Sequence, residues 1–284
     1  MTPSTHPLFW RDSSLPFVEL RQVLVGQNVS YATHSHKEWS IGAILGGESE
    51  FLCAKRQYSV KCGDIVMMDP EVAHACNPLP DSPWAYYMIH IDVDWLVNVL
   101  HSTEIIKNKH FQPTNVDTLT SLTLYNGLID LAQTLMHNTR QISNEEKEAR
   151  LKTYLIELFQ HLYGQETLST VKAVANNSST TTFLDIATYL DTHYLEDISI
   201  EQLSHQFNLS TSYLIRSFKQ HFNMSPHAYR INQRVLHGQR ALKSGLPITD
   251  VAHEVGFNDQ AHFQRAFKQR VAATPKQYIN TKTL

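Results

Sequence analysis

The five residues RSFKQ at 216–220 return as RAFKQ at 265–269, 49 positions later. Their surroundings return with them. Ser225-Pro226-x-x-Tyr229 follows the first copy and Thr274-Pro275-x-x-Tyr278 follows the second at the same offset. Upstream, IEQLSHQFNLS (200–210) parallels ITDVAHEVGFN (248–258). Two copies of one segment require one supersecondary unit used twice. On a helix, Leu214, Phe218 and Phe222 form a single apolar stripe, as do Phe263, Phe267 and Val271. The opposite faces carry Ser212, Arg216, Lys219 and Gln220 in one copy, and Gln260, Gln264, Arg265, Lys268 and Gln269 in the other. Guanidinium and amide groups in such an array match the hydrogen-bonding edges of guanine and adenine in the major groove.

Each of these helices follows a shorter helical stretch, and the turn between them holds Asn208 or Gly256. Both residue types tolerate the left-handed backbone that ends one helix and redirects the chain. Ser225-Pro226 and Thr274-Pro275 then supply helix starts with Pro at the first position. Between the copies, SPHAYRINQRVLHGQRALKSG reads as one long connecting helix. A bundle with a merely solvated basic face would account for the charges. It would not account for the duplication, the turn residues and the caps together. The arrangement is a double helix-turn-helix.

The segment SGLPITDVAHEVGFNDQAHFQRAFKQRVAATPKQY closely resembles the signature of the AraC/XylS family of bacterial transcription regulators, and ISIEQLSHQFNLSTSYLIRSFKQHFNMSPHAYR resembles that family's first helix-turn-helix. The resemblance implies two recognition helices in successive major grooves of promoter DNA. By it, Ser212, Arg216, Gln260, Gln264 and Arg265 fall where family members touch bases, and Lys219 and Lys268 fall near phosphates. This chain departs from the pattern at Asn208, at Ala272-Ala273 where a Gly is usual, and at Ile279 where the family usually has Arg.

The rest of the chain is of another kind. Of a net charge of −3 over 284 residues, positions 180–284 contribute +3 and the remainder −6. A basic half joined to an acidic one fits a DNA-binding module attached to something else. The first hundred residues hold short β-branched and aromatic runs separated by turns. GAILGGESEFLC reads as a hairpin, DIVMM as a buried strand and WAYYMIHIDVD as another, which suggests a sandwich or barrel. From about 117 the period becomes helical, through Leu119, Leu122, Leu128, Leu131 and Leu135 and then Leu151, Leu155, Leu158 and Leu162, with a capping box expected from Ser143 to Glu146. Those helices serve as barrel cover or as a homodimer seam. The expected class is α+β: a cupin-like barrel with flanking helices over 1–165, a linker at 166–182, and an all-α DNA-binding domain over 183–284.

THSHKEW (33–39) places His34, His36 and Glu38 on one face if it is a strand, and GDIVMMDPEVAH ends in His74. His-x-His followed by a later His after a Gly-Asp…Pro turn is similar to the two motifs of cupin barrels, which serve as sensor domains in AraC-type regulators. His34, His36, Glu38 and His74 are therefore candidates for an effector site. With a carboxylate they also make a candidate set for Zn²⁺ or another divalent ion, although the Glu that metal-binding cupins carry further on is replaced near Ser40. Trp39, Tyr86, Tyr87 and His90 are expected as pocket walls. The three cysteines lack zinc-finger spacing, and the N-terminal stretch lacks the features of a signal peptide, so a reducing cytoplasm is expected, with no membrane partner. The leading expectation is a non-enzymatic, effector-responsive regulator that contacts promoter DNA and, if an activator, RNA polymerase. Two alternatives stand beside it: a metal-dependent cupin enzyme fused to a DNA-binding domain, and a constitutive dimeric DNA-binding protein.

Overall fold

The computed structural model describes residues 7–26, 29–136, 142–166 and 178–280. The chain opens with β1 (Leu8–Trp10), β2 (Val18–Val23), β3 (Trp39–Gly46), β4 (Glu48–Cys53), β5 (Arg56–Lys61), β6 (Asp64–Met68), β7 (His74–Pro78) and β8 (Ala85–Ile91). Helix α1 (Val93–Ser102), strand β9 (Thr118–Thr120) and helices α2 (Leu122–Met136) and α3 (Asn144–Glu166) follow. The helical half comprises α4 (Ser178–Thr192), α5 (Ile200–Gln206), α6 (Thr211–Phe222), α7 (Pro226–Lys243), α8 (Ile248–Glu254), α9 (Gln260–Val271) and α10 (Pro275–Ile279).

A six-stranded antiparallel sheet, ordered β1-β2-β8-β3-β6-β9, faces a three-stranded sheet, β5-β4-β7. The segment expected to be a hairpin is a corner. β3 pairs with β8 and β6, whereas β4 pairs with β5 and β7, so the chain changes sheets at Gly47. Gly47 makes the corner with φ +78°, and a Cβ there would lie 2.2 Å from the carbonyl oxygen of Pro83, so only glycine fits.

Strand alternation then assigns two different jobs to the large sheet. Leu20, Trp39, Ile41, Ala43, Ile65, Met67, Tyr87, Ile89 and Ile91 face the helices, joining Leu128, Leu131, Leu135, Leu155, Leu158 and Phe159 in one core. Val23, Ile44, Val66, Met68, Tyr86 and Met88 face the small sheet. The leucines spaced along α2 and α3 are thus consumed by the chain's own core. Leu119 lies on β9, not on a helix, and Leu122 is 76% exposed. At the start of α3 only half of the expected capping box forms, Glu146 N donating to Ser143 Oγ at 3.3 Å. Most of the expected linker lies outside the described residues. Residues 178–182, its end, belong to α4.

The helical half follows its local signals closely. Ser210 and Asp259 cap α6 and α9, Ser225 caps α7 with Pro226 at its first position, and Thr274 with Gln277 forms a capping box on α10. The turn residues Asn208 (φ 53°) and Gly256 (φ 81°) are left-handed. The repeat extends to the C-caps, where Asn223 and Ala272 both adopt the left-handed conformation. Arg234, buried in α7, ties the units together. It donates to Tyr194 O (2.7 Å) and Leu195 O (3.0 Å) beside the first unit and to Gly256 O (2.6 Å) in the turn of the second.

The two halves are interlocked. Phe9, on the first strand, packs within the core of the second helix-turn-helix, 5.1 Å from the ring of Tyr278. Ala272, at the end of α9, packs into the barrel.

Candidate functional site

α6 and α9 each bury an apolar stripe, Leu214 and Phe218 in one and Phe263 and Phe267 in the other. On their outward faces Ser212, Arg216 and Lys219 are exposed, as are Arg265 and Lys268, while Gln260 and Gln264 are half-buried. The outward face of α6 also carries Tyr213 and Ile215, 38% and 41% exposed, which a search for polar groups alone passes over. Apolar groups among polar ones suit contact with thymine methyls.

The barrel and the helical half together enclose a cavity of about 590 Å³. Its barrel side is built by the inward residues of β2, β3, β6 and β8, among them Arg21, Ile44, Met68, Tyr86, Met88 and His90. Its other side is built by α7, α9 and α10, through Asn232, Lys243, Arg270, Val271 and Tyr278. Tyr86 and His90 are walls, as the sequence suggested. Trp39 and Tyr87 are not: on their strands they alternate to the opposite face, where Trp39 lies 5.2 Å from the ring of Phe159.

His34, His36 and His74 do come together. His34 and His74 exchange backbone hydrogen bonds, N to O, at 3.0 and 2.8 Å, and their rings are 4.4 Å apart. His36 lies 4.7 Å from His74 and 4.9 Å from His90. The segment that carries His34 and His36 is not the expected strand; β3 begins only at Trp39. Glu38 stands apart from the three rings but lines the same cavity. Its carboxylate is 45% exposed and 3.9 Å from His36 Nδ1. Among the described residues no group of three or more His, Cys, Asp or Glu side chains is placed to hold a metal ion. The expected four-residue divalent set is therefore not assembled.

Each ring is held in one tautomer by its own neighbourhood. His34 Nδ1 donates to Ala32 O (2.9 Å), His36 Nδ1 to Glu38 O (2.9 Å) and His74 Nδ1 to Val72 O (2.8 Å). A carbonyl can only accept, so Nδ1 bears the proton and each Nε2 keeps its lone pair. Burial holds all four imidazoles neutral. It brings His36 down to about 4 and, with the neighbouring His36, His74 to about 3. His34 and His90 lie well below the ordinary value for the same reason.

Charged residues at the domain boundary escaped the sequence reading. Glu19 of β2 joins Arg11 (2.7 Å), just beyond β1, to Lys243 (2.6 Å) of α7. Burial alone would raise its carboxyl, but Lys243 and Arg11 beside it pull it down to about 2. Arg21, 5% exposed, donates to Val271 O and Ala272 O, the last carbonyls of α9, while Ala32 N donates to Gln269 O at 2.7 Å. The barrel thus caps the C-terminal end of α9. Asn232 of α7 adds a bond to Ser35 O at 3.0 Å, next to the histidines.

Comparison with known proteins places these features. The model of the AraC-like ligand binding domain matches residues 20–159, and that of a helix-turn-helix domain matches 203–281. The raffinose operon transcriptional regulatory protein RafR of Pediococcus pentosaceus is 28% identical over 271 residues, covering 92% of this chain and 93% of that one. The lactose operon transcription activator of Staphylococcus xylosus is 22% identical over 252 residues, 88% of this chain and 87% of its own. Among solved structures, an apo form of ToxT from Vibrio cholerae superposes with a TM-score of 0.57 over 100% of both chains at 13% identity, a likeness of fold.

Proposed function

The chain belongs to the AraC family of transcription regulators, and from that premise we propose that its DNA binding is set by a small molecule held in the cavity between barrel and DNA-binding domain. One observation carries this reading. The cavity is walled by both halves, including Arg270 and Val271 of recognition helix α9. An occupant that touches both walls has a different affinity for any other arrangement of the two halves, which is the requirement for linkage. A coupling of about 1–3 kcal/mol changes DNA affinity roughly 5- to 150-fold. Relatives are named for raffinose and lactose operons, and ToxT has been crystallised with an unsaturated fatty acid. The regulator proposed here has no catalytic activity of its own, works in the cytoplasm and needs no metal.

On the DNA side, Arg216, Gln260, Gln264, Arg265 and Ser212 read bases, and Lys219 and Lys268 hold phosphates. The exposure of Ser212, Arg216, Lys219, Arg265 and Lys268 on α6 and α9 supports this assignment, with Gln260 and Gln264 half-buried beside them. The regulator acts as a homodimer through the outward side of α2 and α3, where Leu122 is exposed, since the inward side is filled. An activator of this form would also contact RNA polymerase.

Footprinting of the full chain on DNA upstream of its neighbouring genes, with and without metabolites, tests the reading. His36→Ala and His74→Ala are expected to keep basal protection of two major-groove segments and to lose the response to the effector. Variants that respond like the parent would move the effector site elsewhere.

A further inference from the structure

We propose that the cavity takes a polyhydroxylated anion, a sugar bearing a carboxylate or phosphate, whose charged group sits against Arg270 of α9 and Arg21 of β2. This rests on the reading that the cavity holds the effector. Arg270 is 9% exposed and lines the cavity. Its guanidinium makes one bond, from Nη1 to Ala266 O of its own helix (3.2 Å), and its Nε has no partner. No carboxylate among the described residues is paired with it. Arg21 lines the same cavity with an unpartnered Nε, and only peptide carbonyls receive its protons. The nearby acid, Glu19, is already shared between Arg11 and Lys243.

A buried guanidinium without a counter-charge is costly, and removing cations from water is repaid only when an anion meets them. Arg270 is such a group, and Arg21, whose other protons go to the carbonyls that end α9, adds a free Nε from the barrel to the same cavity. The pair is therefore complementary to a negative ligand group, which guanidinium recognises in a planar fork. The hydroxyls follow from the histidines that line the same cavity. His34 and His74, which line the cavity, each keep an unprotonated Nε2, an acceptor that a bare carboxylate cannot satisfy and that a hydroxyl can, whereas His36 Nε2 already lies 3.5 Å from Ser40 Oγ. Cationic donors and neutral acceptors on one cavity select a molecule carrying both an acid and hydroxyl groups. Because Arg270 lies on the buried side of a recognition helix, the ligand's charge acts directly on the element that reads DNA.

The test uses the full chain in thermal-shift and calorimetric titrations with matched pairs: galacturonate against galactose, and glucose 6-phosphate against glucose. Decanoate and inorganic phosphate serve as an acid without hydroxyls and as a bare anion. At pH 7.5 a sugar acid is expected to bind about tenfold or more tighter than its neutral parent, as charge-assisted hydrogen bonds imply. The carboxylate and phosphate arms tell which head group is used. Arg270→Gln, checked for folding by circular dichroism, should abolish that preference, and Arg270→Met should do the same. Independently of any sugar, phosphate should raise the melting temperature of the parent above chloride at equal ionic strength, and should do so less in Arg270→Gln. Neutral parents binding as tightly as acids, or an undiminished phosphate effect in both variants, would overturn the anion site while leaving an effector in the cavity. Decanoate binding as tightly as the sugar acids would remove the hydroxyl requirement. If no member of either pair binds, the anionic-sugar proposal and the occupancy it rests on both fall.

Discussion

Acidification should loosen the barrel before it protonates the buried carboxylate Glu19, because four imidazoles are buried neutral around His36. A ring whose folded pKa lies below its unfolded value of 6.5 takes up its proton more readily in the unfolded chain. Its contribution to stability is complete above about 6.5 and declines as the pH falls toward the folded value. For His36, brought to about 4, and His74, brought to about 3, the window runs from 6.5 down to those values. Between pH 8 and pH 5 each ring then removes about 2 kcal/mol, so the pair removes about 4 kcal/mol. His34 and His90 act in the same direction. That is a large share of the roughly 5–15 kcal/mol by which folded domains are stable. The buried carboxylate Glu19 is held at about 2, so its own loss begins only as the pH drops through 4.5 and does not overlap the interval. Urea unfolding followed by tryptophan fluorescence reports the barrel specifically, since Trp10, Trp39, Trp84 and Trp95 all precede α2. The doubly substituted His36→Gln, His74→Gln chain should lose much less stability over the same range. A parent stability that stays level from pH 8 to 5, or a double variant that declines as steeply as the parent, would refute the neutral cluster.

Arg265→Ala should relax base preference at one position by roughly 1–3 kcal/mol, whereas Lys268→Ala should weaken binding to every sequence and flatten its salt dependence, both read by mobility shift at several salt concentrations. Gly256→Ala should cost at least about 1–2 kcal/mol in thermal unfolding, because φ is +81° and the added Cβ would stand 3.1 Å from the guanidinium of Arg234. Arg234→Leu should cost about 3 kcal/mol or more by stranding the carbonyls of Tyr194, Leu195 and Gly256, and two-groove protection in a footprint should shrink toward one. Sedimentation of the full chain at micromolar concentration should give a dimer, and Leu122→Asp should shift it toward monomer.

The helical half was legible in the sequence because its signals are local. A stripe at i, i+4 and i+8, a cap three residues before its acceptor and a left-handed Asn or Gly at a turn are each fixed within about a dozen residues. Asn208, Gly256, Ser210, Ser225 and Thr274 all adopt the roles their types dictate. The histidines were also legible, as a spacing, though their geometry was not. Whether His34 to Glu38 is a strand depends on partners far along the chain, and the pairing of His34 with His74 leaves Glu38 at the partly exposed rim of the cavity. Alternation says that Tyr86 and Tyr87 face opposite ways. It does not say which way is the cavity; that was decided by α2 and α3 covering one face of the sheet. The corner at Gly47 was likewise invisible, since a Gly-Gly between two apolar runs suits a hairpin as well as a change of sheet. Least legible were the contacts that join the halves. Arg21 meets the carbonyl of Val271 across 250 positions, and nothing within reach of either residue announces the other. Local free energy selects helices, turns and caps, whereas the cavity and its unpaired cations exist only where two separately specified surfaces meet.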